Sequence, residues 1–335
     1  MEMSSTYDPQ REYSRGFVGC RYDPRAVELF CDGVLRAGGN PDGSVVAANW
    51  GLEESGKGKL TATWLHVNSV WPGCWPGPPQ LVGDCVAHGG ANAILTSMAC
   101  EIIDGKPDSV TGIVEGAPEL TPAAIKNIPI ACESLWAWRG YDGDGWTCAD
   151  VATVATTKGF LLRKLYPSLK CDLTEYTSET IRLGGSRPPS KDWLEESSQH
   201  KARTATVIKG REQVRDFLAS GYGVFNCSGL GFASTRSEFG VARQVGSWSH
   251  SQAWIGYDDR ESTIAKYGQA LVCWLNSWGR WCDGGNVVEG TQLTIPDGAY
   301  WALASTIDRC TAISLSSVAG WPRRKLPSYG AEGNL

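Results

Sequence analysis

The hydrophobic pattern of the chain changes from helical spacing in the first half to strand-like runs in the second half. Apolar and small residues recur at helical spacing from Cys85 onward, and Asp84 stands where the N-cap of that helix is expected. Gly89 and Gly90 are poor residues for a helix interior, so they predict the close approach of another backbone. Thr147 is placed to cap a later helix. The predicted helices cover residues 85–103, 120–138, 148–158 and 211–220.

Strand-like runs of apolar residues dominate the chain after Trp248. Pro296 would end one of these runs, because proline has no N–H to donate to a strand ladder. Helices that precede strands in this way predict an α+β fold with a mainly helical lobe and a mainly β lobe. The predicted strands cover residues 253–257, 270–275, 292–295 and 299–303.

The predicted domain organisation has one core and two ends. Residues 1–64 are rich in Gly and polar residues, and we expect them to form an N-terminal extension that packs on the core. The core is predicted over residues 65–310, mainly helical from 65 to 170 and mainly β from 171 to 310. Residues 311–335, which end in a basic and Gly/Pro-rich stretch, are predicted to be a C-terminal tail.

Composition excludes several classes of function. The 335 residues carry a net charge of −5, so bulk electrostatics argue against nucleic-acid binding. The chain has neither a signal-like apolar segment near its start nor an apolar run long enough to span a bilayer, so we predict synthesis in the cytoplasm and no membrane contact. In a reducing compartment the 12 cysteines are expected to be buried free thiols. No Cys-x-x-Cys pair occurs, and we expect neither a metal nor a cofactor.

Cys85 has the sequence surroundings of a nucleophilic cysteine. A thiolate is stabilised at a helix N-terminus and by a nearby imidazolium, and Cys85 opens the predicted helix. His250 begins a strand-like segment and can serve as the base, while Asn276 follows an apolar strand and can orient the imidazole. The side-chain amide of Gln80 can donate to an oxyanion.

These elements, taken in order, resemble those of papain-like cysteine peptidases. The family carries a Gln, then Gly-x-Cys, then His followed by Gly-Tyr, and finally Asn-Ser-Trp-Gly. The likeness covers roughly residues 65–305, and the ordered set of elements is far more specific than any one of them. The matching residues are Gln80, Gly83-Asp84-Cys85, His250, Gly256-Tyr257, Asn276-Ser277-Trp278-Gly279, the turn Gly143-Asp144-Gly145-Trp146, and Tyr166-Pro167.

The resemblance implies a fold and a set of roles. The fold would have two lobes, a helical one whose central helix starts near Cys85 and one built from an antiparallel sheet or barrel, with the active site in the cleft between them. Cys85 would be the nucleophile, His250 its ion-pair partner and the acid to the leaving group, and Asn276 the residue that orients His250. Trp278 would shield the His–Asn hydrogen bond. Gln80 and the Cys85 N–H would form the oxyanion hole.

The glycine turn and a second histidine complete the predicted site. Gly143, Gly145 and Trp146 would contact the substrate, as the corresponding turn does in the family. His88 stands three residues after Cys85, where the family has no histidine, and a helical spacing of three can place it beside the thiol as a supporting group.

Three departures from the family pattern lie around the nucleophile. Gln80 is five residues before Cys85, whereas the family spacing is six. Val86 stands where the family usually has Trp, and Val82 replaces a disulfide cysteine. Residues 1–79 are too rich in Gly and Pro to form the family's helical prosegment. In motif style the chain is closer to divergent bacterial and tailed-phage members than to secreted or lysosomal peptidases.

Three functions are compatible with these features. The first is a thiol hydrolase that cleaves peptide or isopeptide bonds in a peptide or protein substrate through a Cys85 acyl-enzyme. The second is a papain-fold structural or assembly component with weak or no activity, held by its termini in a virion or another large particle. The third is an amidase or peptidoglycan hydrolase, which also uses Cys, then His, then a polar residue.

Overall fold

The computed structural model describes residues 53–103, 129–202 and 204–316. These residues form an α+β structure in which helices dominate before residue 160 and an antiparallel sheet dominates after residue 204, so the predicted fold class is confirmed. Residues 1–52, residues 120–128 of the predicted helix 120–138, and the end of the chain from residue 317 lie outside the described residues. In the described part of that predicted helix, Ile130–Ala131 form a short strand and only Cys132–Trp136 are α-helical. Among the described helices, none is both long and apolar enough to cross a bilayer.

Two of the predicted helices begin where the sequence places them. The side-chain oxygen of Thr147 accepts a hydrogen bond from the backbone N–H of Asp150, which is the expected N-cap interaction. Gly159 follows this helix with a φ of +84°, a conformation that favours glycine. The helices are α1 Thr63–Val70, α2 Cys85–Ile103, α3 Cys132–Trp136, α4 Cys148–Thr157, α5 Lys191–Ser197, α6 Gly210–Ala219 and α7 Glu261–Tyr267.

Helix α2 is the centre of the molecule and is buried over almost its whole length. A Cβ atom added at Gly89 would lie 2.7 Å from the hydroxyl oxygen of Ser251, and one at Gly90 would lie 2.5 Å from a methyl of Val151. The close approach predicted from the two glycines is present, but side chains make it and not a neighbouring backbone. The first turns of α2 are thereby fitted against the strand that carries Ser251.

Fourteen strands form one large sheet and several small ones among the described residues. The large sheet is antiparallel, in the order β13, β11, β10, β7, β14, β6, with β1 also paired to β10. The strands are β1 Leu60–Ala62, β2 Ile130–Ala131, β3 Leu161–Leu162, β4 Leu165–Tyr166, β5 Cys171–Asp172, β6 Thr204–Ile208, β7 Gly223–Ser228, β8 Phe232–Arg236, β9 Ala242–Gln244, β10 His250–Asp258, β11 Leu271–Leu275, β12 Asp283–Gly284, β13 Ala299–Leu303 and β14 Cys310–Ser316.

The pairing of β10 with β11 determines where His250 and Asn276 meet. Ala253 is paired with Leu275, and the two strands run antiparallel. The beginning of β10 therefore lies beside the end of β11, which brings His250 and Asn276 together although 26 residues separate them. Helix α2 packs across β10, β7 and β14, on the face where its Gly89 meets Ser251.

One predicted strand is not formed, and two strands of the large sheet include residues outside the predicted bounds of the core. Residues 292–295 do not form a strand; a single isolated bridge joins Val287 to Thr294, and the surrounding backbone is turns. Strand β14 extends to residue 316 and pairs with β6 and β7, so the sheet continues beyond the predicted boundary of the tail at residue 311. Strand β1 likewise adds residues of the predicted N-terminal extension to the edge of β10.

The expectation that all cysteines are free thiols is wrong for one pair. Cys148 and Cys227 form a disulfide with a Cα–Cα distance of 6.1 Å. The bond joins the start of α4 to strand β7 across 79 residues of sequence, so it links the helical part to the sheet. The cysteines of the described residues that form no disulfide are Cys74, Cys85, Cys100, Cys132, Cys171, Cys273, Cys282 and Cys310.

Candidate active site

The side chains of His250 and Asn276 are hydrogen-bonded at the junction of β10 and β11. Nε2 of His250 lies 2.8 Å from Oδ1 of Asn276, and both residues are buried. The amide oxygen can only accept a hydrogen bond, so Nε2 carries the hydrogen and donates it. This bond fixes the rotation of the imidazole ring about its own axis.

The other ring nitrogen of His250 is the chemically available one. Nδ1 is buried and has no hydrogen-bond partner among the described residues. With the hydrogen on Nε2, the neutral ring has its lone pair on Nδ1. A buried acceptor without a partner costs free energy, so its presence points to a function that uses it.

Aromatic rings cover the imidazole of His250. Trp278 stacks on it with ring centroids 4.5 Å apart and an angle of 25° between the planes. Trp248 meets Trp278 edge-on at 4.8 Å. Trp278 therefore lies over one face of the imidazole, and its predicted shielding of the hydrogen bond to Asn276 stays a prediction.

Burial lowers the pKa of His250 to about 4, against an ordinary value of 6.5. The hydrogen bond that His250 donates to Asn276 raises the pKa, and the nearby imidazole of His88 lowers it further. At neutral pH His250 is therefore uncharged in this structure. An uncharged imidazole with a free Nδ1 is a base, able to accept a proton from a thiol.

Cys85 is the first residue of α2 and is fully buried. One turn later, Gly89 meets Ser251, which is the neighbour of His250 in β10. The helix N-terminus that carries Cys85 thus packs against the strand end that carries His250. The partial positive charge of a helix N-terminus favours a thiolate at this position.

Gln80 sits close to the site but is held by neighbouring groups. Its amide nitrogen donates to the carbonyl of Val82 at 2.9 Å, and its amide oxygen accepts from the Ser277 hydroxyl. Its backbone N–H also donates to the carbonyl of Ser277 at 2.8 Å. One N–H of the Gln80 side-chain amide is used by Val82, which leaves the other N–H to donate to an oxyanion. The oxyanion role of Gln80 stays a prediction.

The glycine turn packs directly against the segment that precedes Cys85. The backbone N–H of Gly83 donates to the carboxylate of Asp144 at 2.9 Å, and the N–H of Gly145 donates to the carbonyl of Gly83 at 3.0 Å. Gly143 has a φ of +126°, and a Cβ added there would meet open space. Substrate contact by these residues stays a prediction.

Trp146 lies in the core at the end of the glycine turn. Its ring is 5 % exposed and meets Trp136 edge-on at 6.0 Å. This side chain packs in the core next to the turn, and its contact with substrate stays a prediction. The turn as a whole is fixed beside Gly83, two residues before the candidate nucleophile.

A second histidine cluster lies at the start of α2, which contains His88. Nε2 of His88 is 3.4 Å from Oδ2 of Asp84 and 3.6 Å from Sγ of Cys132. All three residues are buried, and one potential ligand atom from each lies within 4.8 Å of the others. The sequence predicts His88 as a supporting residue and Asp84 as a cap, but it predicts no role for Cys132.

Polar groups around this second cluster are well connected. The Tyr176 hydroxyl donates to Oδ2 of Asp84 at 2.9 Å and accepts from the backbone N–H of Leu81. Arg163 makes two hydrogen bonds of 2.7 Å with the carboxylate of Glu133. Burial raises the pKa of the Cys132 thiol well above its usual range, and the carboxylates of Glu133 and Asp84 raise it further.

The Asp84 carboxylate is therefore not a simple helix cap. Its Oδ2 is turned to Tyr176 and His88, and the backbone carbonyl of Asp84 accepts the N–H of Ala87 and of His88. The spacing of four residues between Asp84 and His88 is a signal that the sequence contains and that places both on one face of the turn. Nothing in the local sequence predicts that Cys132 joins them.

Comparison with known proteins gives structural neighbours and no sequence relatives. No protein-family model matches the sequence, and no curated protein matches it. The cysteine protease xylellain from Xylella fastidiosa is similar in structure, with 16% identity, 72% of this chain and 82% of that chain covered, and a TM-score of 0.44. Procathepsin B S9 from Trypanosoma congolense has 12% identity, 76% coverage of each chain and a TM-score of 0.43.

A third similar structure is the proform of the ragweed pollen allergen Amb a 11, a cysteine protease. It is 14% identical, with 79% of this chain and 67% of that chain covered and a TM-score of 0.46. The chain itself has an α+β arrangement in which a buried helix that opens on Cys85 packs against an antiparallel sheet. His250 and Asn276 meet at neighbouring strand ends of that sheet.

Proposed function

We propose that this chain is a papain-like thiol hydrolase that cleaves peptide or isopeptide bonds through an acyl-enzyme on Cys85. The observation that carries the proposal is the state of His250. Its Nε2 is bound to Asn276 at 2.8 Å, its Nδ1 has no partner among the described residues, and Trp278 covers one face of the ring. A base that is oriented on one side and available on the other is what nucleophilic catalysis requires.

The first chemical step is attack by sulfur. The Cys85 thiol transfers its proton to Nδ1 of His250, and the thiolate attacks the carbonyl carbon of the substrate. The imidazolium then gives that proton to the leaving amine as the carbon–nitrogen bond breaks, which leaves a thioester on Cys85. The α2 N-terminus stabilises the thiolate, and the backbone N–H of Cys85 is positioned to donate to the oxyanion.

The second step returns the enzyme to its starting state. Water loses a proton to Nδ1 of His250 and attacks the thioester carbonyl, after which the carboxylic acid product leaves and the thiol is restored. Asn276 accepts the Nε2 hydrogen throughout, so the ring keeps its orientation while Nδ1 gains and loses a proton.

A peptide that carries an electrophilic warhead tests the proposal. The wild-type protein should form one covalent adduct, and Cys85→Ala should form none. Cys74→Ala is the matched control, because Cys74 is another buried free cysteine of the described residues. Equal adduct formation by wild type and Cys85→Ala would overturn the proposal.

A second candidate function is a structural or assembly role with weak or no activity, in a virion or another large particle. The burial of Cys85 and His250 favours it, because a substrate must reach both. Under this alternative, a small thiol reagent would modify Cys85 in the native protein as slowly as it modifies Cys100, a buried cysteine on the same helix. Turnover of a peptide substrate by the isolated chain would exclude it.

A further inference from the structure

The cluster of Asp84, His88 and Cys132 turns two potential ligand atoms toward one ring nitrogen, and the Cys132 thiol also lies 3.5 Å from Oε2 of Glu133 as a hydrogen-bond donor. Two groups, Oδ2 of Asp84 and Sγ of Cys132, face the same ring nitrogen of His88, at 3.4 Å and 3.6 Å. A ring nitrogen carries at most one hydrogen and so serves one of them at a time. In a catalytic relay, by contrast, the base and the orienting group use different nitrogens of the ring.

The separations within the cluster match those between ligands of one metal ion. Zinc bonds of about 2.0–2.2 Å to oxygen and nitrogen and about 2.3 Å to sulfur, arranged tetrahedrally, place N and O about 3.3 Å apart and N and S about 3.6 Å apart. The observed values are 3.4 Å and 3.6 Å. We propose that Asp84, His88 and Cys132 bind a Zn²⁺ ion.

An independent feature of the same residues points to a ligand. Asp84 is fully buried, so water does not reach its carboxylate. Its Oδ1 nevertheless has no hydrogen-bond partner among the described residues. Such an atom is costly unless something coordinates the carboxylate. A set of one sulfur, one nitrogen and one oxygen ligand is within the range that zinc accepts.

The charges around the ion balance. Zinc binding displaces the proton of the Cys132 thiol, so the thiolate and the Asp84 carboxylate together offset the two charges of the ion. Glu133 is already paired with Arg163 through two bonds of 2.7 Å, so it adds no net charge. Tyr176 donates to the Asp84 carboxylate at 2.9 Å and orients it, as second-shell groups do in metal sites.

The proposed ion has a structural role in this fold. It joins the first turn of α2 to α3, and Asp84 is the residue immediately before the candidate nucleophile. Zinc would thus hold the turn that carries Cys85 in place without taking part in proton transfer at His250. The proposal concerns the fold and does not depend on the hydrolase activity.

The test begins with the zinc content of the full chain, purified under reducing conditions without chelator. We expect one zinc per chain. Replacement by Co²⁺ should produce a near-ultraviolet sulfur-to-cobalt charge-transfer band, which reports a thiolate ligand. Cys132→Ser should lose this band and bind zinc at least about tenfold more weakly.

Two matched variants separate this site from the other cysteines. Cys85→Ser and Cys74→Ser should keep both the zinc and the charge-transfer band. Both variants alter buried cysteines that form no disulfide and lie outside the cluster. A wild-type protein without stoichiometric zinc, or a Cys132→Ser protein that keeps the band, would overturn the proposal. If Cys132→Ser does not fold, the wild-type zinc content together with the Cys85→Ser spectrum decides the question.

Discussion

Two histidines near the start of α2 differ in how their rings are used. His250 binds Asn276 through Nε2 and leaves Nδ1 without a partner among the described residues. His88 faces both an oxygen and a sulfur with the single atom Nε2. The first arrangement suits a base that exchanges a proton, and the second suits a ligand that holds a fixed position.

The two histidines also differ in what surrounds them. His250 is covered by Trp278 and Trp248 and has one amide partner, so burial dominates its pKa. His88 is surrounded by the carboxylate of Asp84, the thiol of Cys132 and the ring of Tyr176, so polar groups lie on several sides of it. A histidine beside a cysteine is therefore not by itself a catalytic pair. What distinguishes a base from a metal ligand is whether its partners contact different nitrogens of the ring or the same one.

The largest expected effect separates the two histidines by activity. His250→Gln should reduce peptide hydrolysis by about 10³-fold or more, because it removes the base that activates the nucleophile. His88→Gln should reduce kcat by less than about tenfold at a permissive temperature, because His88 is not placed on the proton path. Steady-state kinetics of the two variants check this, and a similar loss for both would break the distinction.

The next effect concerns stability beside the second cluster. Arg163→Met leaves the fully buried carboxylate of Glu133 without its ion-pair partner, and we expect a loss of about 3–5 kcal/mol in the free energy of unfolding. Arg211→Met is the control, since its pair with Asp308 is partly exposed and should change stability by about 1 kcal/mol at most. Denaturant unfolding of both variants measures the difference; equal values would show that the Glu133 pair is not structurally special.

A smaller effect is the pH dependence that His250 adds to stability. Its pKa is about 4 in the folded protein and about 6.5 when unfolded, so the unfolded chain binds an extra proton between these values. Stability should therefore fall by up to about 3 kcal/mol as the pH decreases from 6.5 to 4. The free energy of unfolding of wild type, measured against His250→Gln over this range, should show a difference that shrinks with acid. A constant difference would contradict the burial of an uncharged His250.

The smallest effect concerns how Asn276 orients the imidazole ring of His250. Asn276→Ala removes one hydrogen bond to His250, and we expect kcat to fall by about 10- to 100-fold, equivalent to about 1.5–3 kcal/mol. Ser277→Ala, at the next residue, removes a hydrogen bond to Gln80 and leaves the one between His250 and Asn276 intact. We therefore expect Ser277→Ala to lower kcat much less than Asn276→Ala does. Kinetic constants for both variants check the order, and an unchanged kcat for Asn276→Ala would remove the orienting role.

Much of the fold and part of the candidate site could be predicted from sequence because the signals are local. The helix from Cys85 has apolar residues at helical spacing and begins at the predicted residue, and strand β13 was predicted with its observed bounds. The meeting of His250 with Asn276 follows from two adjacent antiparallel strands. Each of these depends on neighbours in sequence or on one strand pairing.

The remainder depends on contacts that sequence patterns do not encode. The predicted strand at 292–295 is apolar, but Pro296 and nearby turns leave it without a full partner strand. The Cys148–Cys227 disulfide and the approach of Cys132 to His88 join segments far apart in the chain. Spacing within a single segment holds no information about such pairs, since the packing of helices on the sheet creates them.

The most direct test of the account is the rate at which iodoacetamide modifies Cys85 and Cys132 in the native protein, mapped by mass spectrometry. We predict that Cys85 reacts faster than Cys132 in the wild type, because a base with a free nitrogen serves Cys85 alone. In His250→Gln the rate at Cys85 should fall to that of the other buried thiols. Faster modification of Cys132, or a Cys85 rate that His250→Gln leaves unchanged, would contradict the assignment of Cys85 and His250 as the reactive pair.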